Sequence, residues 1–466
     1  MGKIRRVCVF VAVLLAVSAI VPLSVYADVT VHARAHILIE MDSGRTLSQY
    51  EAHRRMFPAA TTMILTAILA YEYIGLDDII VAGNEVTMLP IGSARNFHEV
   101  GEAILGINLL RGMLIGTGND TANIVAIEVA RRVTGNENIT FAQAQTFFAN
   151  LMTTRAAELG ALDSRFVNPH GYHHDSHFTT AYDMAQIVRH AASIPTIAEI
   201  AGQATFSGSM SGGRNDVPDD ALLRIRSWRS ANELLHPGDN HYSYATGLRT
   251  GRTNQAGDSL AATATRDGIT FISVTFDSPI LDDEPTRWRD NINLFEYGFM
   301  NFAHRTFLEE NTIVGEMPVY DPRLDDPGYL EFFSTSLGML FLSEAEMSRL
   351  VRNITFWPHF VTLSEGDNLM FAAPIPENEA IGEITYILDD EVVFTAALYS
   401  ARYVPLRDTA SDIDFYLARV NEIFFSAASI PYWIAAVSVL LLIAMLTILA
   451  RNAIRRKRGN KTYKWK

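Results

Sequence analysis

Four histidines within eight residues, His170, His173, His174 and His177, form the densest group of candidate ligands or bases in the sequence. Imidazoles are common zinc ligands, but a closed site also draws on thiolates or well-placed carboxylates. Neither is at hand. The one cysteine is Cys8, and Asp163, Asp175 and Asp183 stand in turn and helix-cap contexts. No metal site and no cofactor is called for, and beyond Cys8 the chain has no thiol for catalysis or a disulfide. Hydroxyl chemistry is the next candidate. Thr61 and Thr62 open an apolar helical pattern, but a hydroxyl becomes a nucleophile only beside a base, and one turn on stand Ile64 and Leu65. Two short polar runs remain. Thr117-Gly-Asn119 offers a hydroxyl and an amide, and Arg249-Thr250-Gly251-Arg252 offers guanidinium forks that hold a carboxylate through two hydrogen bonds.

The elements that must position these residues are three helices and an edge strand. The first helix follows Pro58, a residue suited to a first turn, and ends at Gly75. The second begins at Asn119-Asp120, both good N-caps, and closes with Arg131 and Arg132 ahead of Gly135. The third starts with the capping-box pattern Thr180-Ala-Tyr-Asp183. From about residue 312 to 405, short runs of β-formers broken by Gly, Asp and Pro predict a small β-sandwich.

Both ends carry targeting patterns. Basic residues Lys3, Arg5 and Arg6, an apolar run over 7–21 and a small-residue ending at Ala27 read as a secretory signal peptide over residues 1–27. Residues 430–450 are apolar or small throughout, enough to cross about 30 Å of hydrocarbon. Tyr432 and Trp433 sit at the leading edge, and eight cations follow between Arg451 and Lys466. Such a flank stays on the cytoplasmic side, which places the bulk of the chain outside the cell. The formal charge is −14; without the eleven basic residues at the two ends, −25 remains for the exported part. So acidic a domain excludes nucleic-acid binding by charge.

Longer segments carry a resemblance. Arg55-Met-Phe-Pro-Ala-Ala-Thr-Thr-Met-Ile-Leu-Thr, Leu109-Leu-Arg-Gly-Met-Leu-Ile-Gly-Thr-Gly-Asn-Asp, Asn168-Pro-His-Gly-Tyr, His177-Phe-Thr-Thr-Ala-Tyr-Asp-Met-Ala and Ala245-Thr-Gly-Leu-Arg-Thr-Gly-Arg-Thr follow one another in family order. In these the chain resembles the serine D-alanyl-D-alanine carboxypeptidases, low-molecular-mass penicillin-binding proteins of the bacterial cell wall. The resemblance implies an α+β chain: an antiparallel sheet flanked by helices, of the β-lactamase and penicillin-binding type, then a β-rich domain and one membrane helix. The expected divisions are 28–303 for the carboxypeptidase-like domain, 304–408 for the β-rich domain, 409–429 for a stalk or amphipathic helix, 430–450 for the span and 451–466 for the tail.

That family works through Ser-x-x-Lys, Ser-x-Asn and Lys-Thr-Gly. Its serine attacks the carbonyl of the penultimate D-Ala, and the lysine one turn on takes the proton. Here those two positions read Ala60 and Met63, and neither a methyl nor a thioether does that chemistry. The resemblance implies that Thr117, Asn119, Arg249, Thr250 and Gly251 stand where the family binds substrate. It also places the oxyanion hole on the backbone N–H groups of Ala60 and Arg252. The first expectation is therefore a catalytically silent cell-wall protein that binds peptidoglycan stem peptides or scaffolds cell-wall enzymes. An active carboxypeptidase with another nucleophile and a purely structural, partner-binding ectodomain stand as alternatives.

Overall fold

The computed structural model describes residues 29–214, 217–364 and 366–459. The expected signal peptide over 1–27 lies outside them, as do the last seven residues of the basic tail. The chain divides into two compact units between Phe302 and Ala303.

The first unit is α+β. Its strands are β1 (Ala35–Glu40), β2 (Thr46–Tyr50), β3 (Ile79–Val81), β4 (Ala103–Leu105), β5 (Thr205–Ser209), β6 (Ile225–Arg229), β7 (Ala245–Thr253), β8 (Gly257–Arg266) and β9 (Ile269–Ser278). Five of them form one antiparallel sheet in the order β2-β1-β9-β8-β7. The chain thus opens in mid-sheet, leaves for a long helical excursion, and returns to complete it. Every residue of β1 is buried, as are most of β8 and β9, because helices cover the sheet. That is why Ala35-His-Ile-Leu-Ile-Glu reads as a near-continuous apolar run rather than an alternation. Arg249 pairs with Ala261 and Thr250 with Leu260 in the register of β7 on β8, which leaves β7 as the edge strand.

The helices are α1 (Met63–Tyr73), α2 (Gly106–Leu114), α3 (Asn119–Thr134), α4 (Phe141–Glu158), α5 (Ala181–Ser193), α6 (Pro195–Ala201) and α7 (Arg287–Asn301). In α1 every residue from Met63 to Ala70 is buried. Full burial of a side chain such as Ile64, Leu65, Ile68 or Leu69 is worth about 1.5–3 kcal/mol, so this helix is held on all sides. Its first turn departs from expectation. Residues Ala59–Thr62 form a tight 3-10 turn, and the regular helix starts only at Met63. The cause is Ala59, whose φ of 49° breaks the helical path directly after Pro58.

Two other helix starts were read correctly in position but not in detail. Helix α3 begins at Asn119 with no side-chain cap, and Gly135 closes it with φ 67°. The Asp120 carboxylate instead accepts the Asn96 and His98 N–H groups. At α5, Thr180 accepts the Asp183 N–H, but the Asp183 carboxylate turns away to Asp163 N and Ser164 Oγ, so the box is half made.

The second unit holds a seven-stranded mixed sheet built from Thr312–Tyr320, Tyr329–Ser334, Val351–Phe356, Val361–Leu363, Leu369–Ala372, Ala380–Leu388 and Glu391–Ser400. Gly338–Ser343 pairs with Phe302–Leu308 in a separate ribbon. The hairpin between Leu388 and Glu391 turns through Asp389 and Asp390, with φ 50° and 69°. Two positive-φ residues match the right-handed strand twist of such two-residue loops. Asp408 caps the helix Thr409–Phe425. Ile413, Tyr416, Leu417, Val420 and Ile423 lie exposed along it at helical spacing. The helix Ile430–Gly459 follows, and the segment Ala427–Arg455 is long and apolar enough to cross a membrane.

Candidate functional site

The floor of the site is the tight turn at Ala60. Two glycines bring other chain segments against it. A Cβ on Gly251 would stand 2.5 Å from the Ala60 amide nitrogen, and one on Gly171 would stand 1.7 Å from the Ala59 carbonyl oxygen. Edge strand β7 therefore passes on one side of the turn, and the 168–172 loop closes it on the other. The neighbouring hydroxyls face inward. Thr61 Oγ1 donates to the Pro58 carbonyl at 2.7 Å. Thr62 Oγ1 lies 3.0 Å from His177 Nε2. Both threonines are fully buried, so neither hydroxyl reaches a ligand. Residues three apart eclipse one another in a 3-10 turn, which puts Met63 directly beneath Ala60.

Among the described residues one side chain hydrogen-bonds to Met63. Arg249 Nη2 donates to its Sδ at 3.4 Å. Arg249 is 2 % exposed, its Nε is buried with no partner among the described residues, and no carboxylate pairs with it. Burial lowers the guanidinium pKa to about 10 from its ordinary 12.5. Charged groups taken from water without a counter-charge are costly, so this is the least satisfied cation of the site. The next residues of β7 are settled: Thr250 Oγ1 donates to the Ser259 carbonyl at 2.8 Å. Arg252 is more open and stands 3.9 Å from Asp258 Oδ1. The same carboxylate takes a hydrogen bond from Arg287 at the start of α7. Burial lowers the Arg287 pKa, against the attraction of Asp258.

The opposite wall is the 116–119 loop. Thr117 carries φ 64°, a conformation that β-branched residues rarely adopt. The loop is fastened through Asn96, whose Nδ2 donates to the Gly112 carbonyl at 2.8 Å and to Thr121 Oγ1 at 2.7 Å. A Cβ on Gly118 would stand 2.4 Å from Asn96 Cγ, so the fit requires glycine there. Behind Asn96 lies a buried chain: Thr121 Oγ1 contacts His98 Nε2, His98 Nδ1 contacts Glu102, and Glu102 accepts from Arg226 Nη2 at 2.6 Å. Burial alone would raise the Glu102 carboxyl, but His98 and Arg226 hold it down at about 2.

The histidine loop is structural in its contacts. His177 Nδ1 accepts the Val167 N–H, which leaves the proton on Nε2 for Thr62. His170 Nδ1 accepts the Tyr172 N–H. Burial pushes both rings to pKa values of about 3, so both are neutral. His173 Nε2 lies 3.3 Å from Asp175 Oδ1, and its ring packs edge-on against Phe57 at 4.7 Å. Among the described residues no group of three or more His, Cys, Asp or Glu is arranged to hold a metal ion.

These walls enclose a cleft of about 670 Å³. Ala60, Thr117, Asn119, Arg249, Thr250, Gly251 and Arg252 all line it, and Met63 lies under its floor. Arg287, Tyr172 and His170 also line it, and the sequence reading had given none of them a binding role. Nothing in the local sequence marks Arg287, since only the return of α7 to the sheet brings it near β7. Three arginines and no carboxylate are among the lining residues. The arrangement favours an anionic ligand, and its floor offers neither a nucleophile nor a base.

A family model for D-alanyl-D-alanine carboxypeptidases matches residues 22–279. D-alanyl-D-alanine carboxypeptidase DacF of Bacillus subtilis is 23% identical over 365 residues, 78% of this chain and 83% of that protein. DacC of Escherichia coli is 24% identical over 378 residues, with 78% and 82% covered. The crystal structure of DacD from Francisella tularensis superposes with a TM-score of 0.57 at 20% identity, over 82% of this chain and 95% of that one.

Proposed function

The chain belongs to the D-alanyl-D-alanine carboxypeptidase family of bacterial cell-wall proteins, and from that premise we propose that it is a member without hydrolytic activity that binds peptidoglycan stem peptides. One observation carries the reading. A cleft lined with three arginines stands over a turn that offers only the Ala60 methyl and the Met63 thioether, the two positions where the resemblance puts the family's nucleophile and base.

Acyl transfer in this family needs an oxygen on residue 60 and a proton acceptor on residue 63. Ala60 ends in a methyl, and the thioether of Met63 is buried and engaged by Arg249. In an unrelated serine protease, loss of nucleophile or base lowers turnover on the order of 10⁶-fold, about 8 kcal/mol of barrier. The binding parts act independently of that loss. The Ala60 N–H beside β7 receives a carbonyl or carboxylate oxygen, Thr117 and Asn119 face the peptide from the opposite wall, and Arg249 supplies the charge. A charge-assisted hydrogen bond contributes about 1.5–3 kcal/mol, so Arg249→Ala weakens binding roughly tenfold to a hundredfold. The helix Ile430–Gly459 anchors the protein in the cell membrane, with the residues before it outside and the basic tail in the cytoplasm. There it presents bound peptides to cell-wall enzymes.

The test is intact-mass measurement on the full chain in detergent after incubation with benzylpenicillin, with D-Ala release assayed in parallel. The natural chain stays unmodified and releases nothing. A reconstructed variant carrying Ala60→Ser, Met63→Lys and Arg249→Lys gains the penicilloyl mass. The third change is required because Met63→Lys alone sets an ammonium against the Arg249 guanidinium. An added mass on the natural chain would overturn the reading.

A further inference from the structure

The position of the unpaired charge says more than its presence. In an untrimmed stem peptide the carbonyl over residue 60 belongs to the penultimate D-Ala, and the terminal carboxylate lies one residue further along, about 3.8 Å away. An anion-binding group meant for that carboxylate belongs at the far position. Arg249 does not extend that way. Its Nη2 lies 3.4 Å from Met63 Sδ, under the turn that carries Ala60. The two guanidiniums placed elsewhere along the cleft, Arg252 and Arg287, already share Asp258. Among the described residues Arg249 is the cleft guanidinium with no carboxylate beside it, and its buried Nε has no hydrogen-bond partner.

Three features converge on that spot. The Ala60 methyl leaves free the space that a side-chain oxygen on residue 60 would fill. The Ala60 N–H, at the start of the turn leading into α1 and beside Gly251 of β7, favours negative charge. Arg249, almost wholly buried yet lining the cleft, adds a full positive charge from below. Met63 makes this possible, since a cation at that position would exclude the guanidinium.

We infer that the cleft is built for the already shortened stem peptide, ending in a single D-alanine, whose terminal carboxylate sits over Ala60 against the Arg249 guanidinium. In that peptide the carboxylate carbon is the former scissile carbonyl carbon, so the rest of the chain keeps the family's path along β7. The ligand is the product of the reaction that active relatives catalyse, and the protein reads where trimming has occurred. The inference rests on the stem-peptide reading above and narrows it to one chain length.

The experiment is calorimetric titration of the full chain in detergent with three probes: diacetyl-L-lysyl-D-alanine, diacetyl-L-lysyl-D-alanyl-D-alanine and diacetyl-L-lysyl-D-alaninamide. The single-alanine acid binds about tenfold or more tighter than the other two, and Arg249→Met erases its advantage. Equal or tighter binding of the D-alanyl-D-alanine probe overturns the inference and leaves the stem-peptide reading standing. Binding of the neutral amide as tight as that of the acid also overturns it. If none of the three binds, the stem-peptide reading falls and takes the inference with it. The comparison of probes uses the natural chain, so it holds even if the variant fails to fold.

Discussion

Arg249→Met tests whether a binding site has been kept at the expense of stability. The guanidinium has a folded pKa of about 10 against an ordinary 12.5. At about 1.4 kcal/mol per factor of ten, the charged form is disfavoured in the fold by roughly 3 kcal/mol. The direction follows from the shift. A base whose pKa is lower folded than unfolded destabilises the fold at every pH below its folded value, and the penalty fades only as pH rises towards 12.5. At neutral pH it is fully present. Methionine is similar in length and apolar, and it fits against Met63 without an unsatisfied donor. The variant is therefore more stable than the natural chain by about 3 kcal/mol, a rise of roughly 6 °C or more in the melting temperature of the first unit. Scanning calorimetry of the full chain in detergent at pH 7 reads this directly, and the relevant transition is the one that shifts upward when stem peptide is added. The same variant must lose peptide binding. If Arg249→Met is equally stable or less stable, the guanidinium is compensated within the fold, and it was wrong to treat it as a charge waiting for a ligand.

Two further outcomes follow from the loop that closes the site. His170 and His177 have folded pKa values of about 3 against an ordinary 6.5, so their stabilising contribution is complete above pH 6.5 and is lost as pH falls towards 3. Between pH 7 and pH 5 the two together remove about 4 kcal/mol. Urea unfolding across that range shows the fall, and His177→Gln roughly halves it; an unchanged slope would mean that the rings are reached by solvent. Gly171→Ala places a methyl 1.7 Å from the Ala59 carbonyl at φ 79° and is expected to destabilise by more than about 4 kcal/mol. Gly135→Ala has a similar φ of 67° and open space around it, so it costs only about 1 kcal/mol; equal effects would remove the argument from close approach.

The parts of this site legible in the sequence were those set by local spacing. Ala60 and Met63 sit three apart on one turn, Thr117 and Asn119 flank a glycine, and the 249–252 run lies on one strand, so adjacency in the chain already implied adjacency in space. What escaped the reading depends on long returns of the chain. The braces behind Thr117 join Glu102 to Arg226 across more than a hundred residues, and Arg287 reaches β7 only because α7 folds back over the sheet. Side-chain choices with two available partners were equally hidden. Asp120 and Asp183 both look like helix-start residues, yet each carboxylate serves a neighbouring loop instead. The sulfur contact of Arg249 belongs to this class too, since an arginine next to Thr-Gly suggests a side chain directed along the cleft rather than under its floor.

The contact between Arg249 and Met63 also restricts the order in which this sequence can change. A step from Met63 to lysine, taken first, would bury two like charges within a few ångströms of each other, and the fold would bear the repulsion. A step from Arg249 to lysine is tolerable earlier, because the shorter ammonium withdraws from the sulfur, and it yields no hydrolysis to be selected. A return to catalysis therefore passes through intermediates without advantage. The pair acts as a ratchet: once the guanidinium occupied the space left by the lost base, descendants of this chain could refine what the cleft holds far more readily than they could regain the power to cut it.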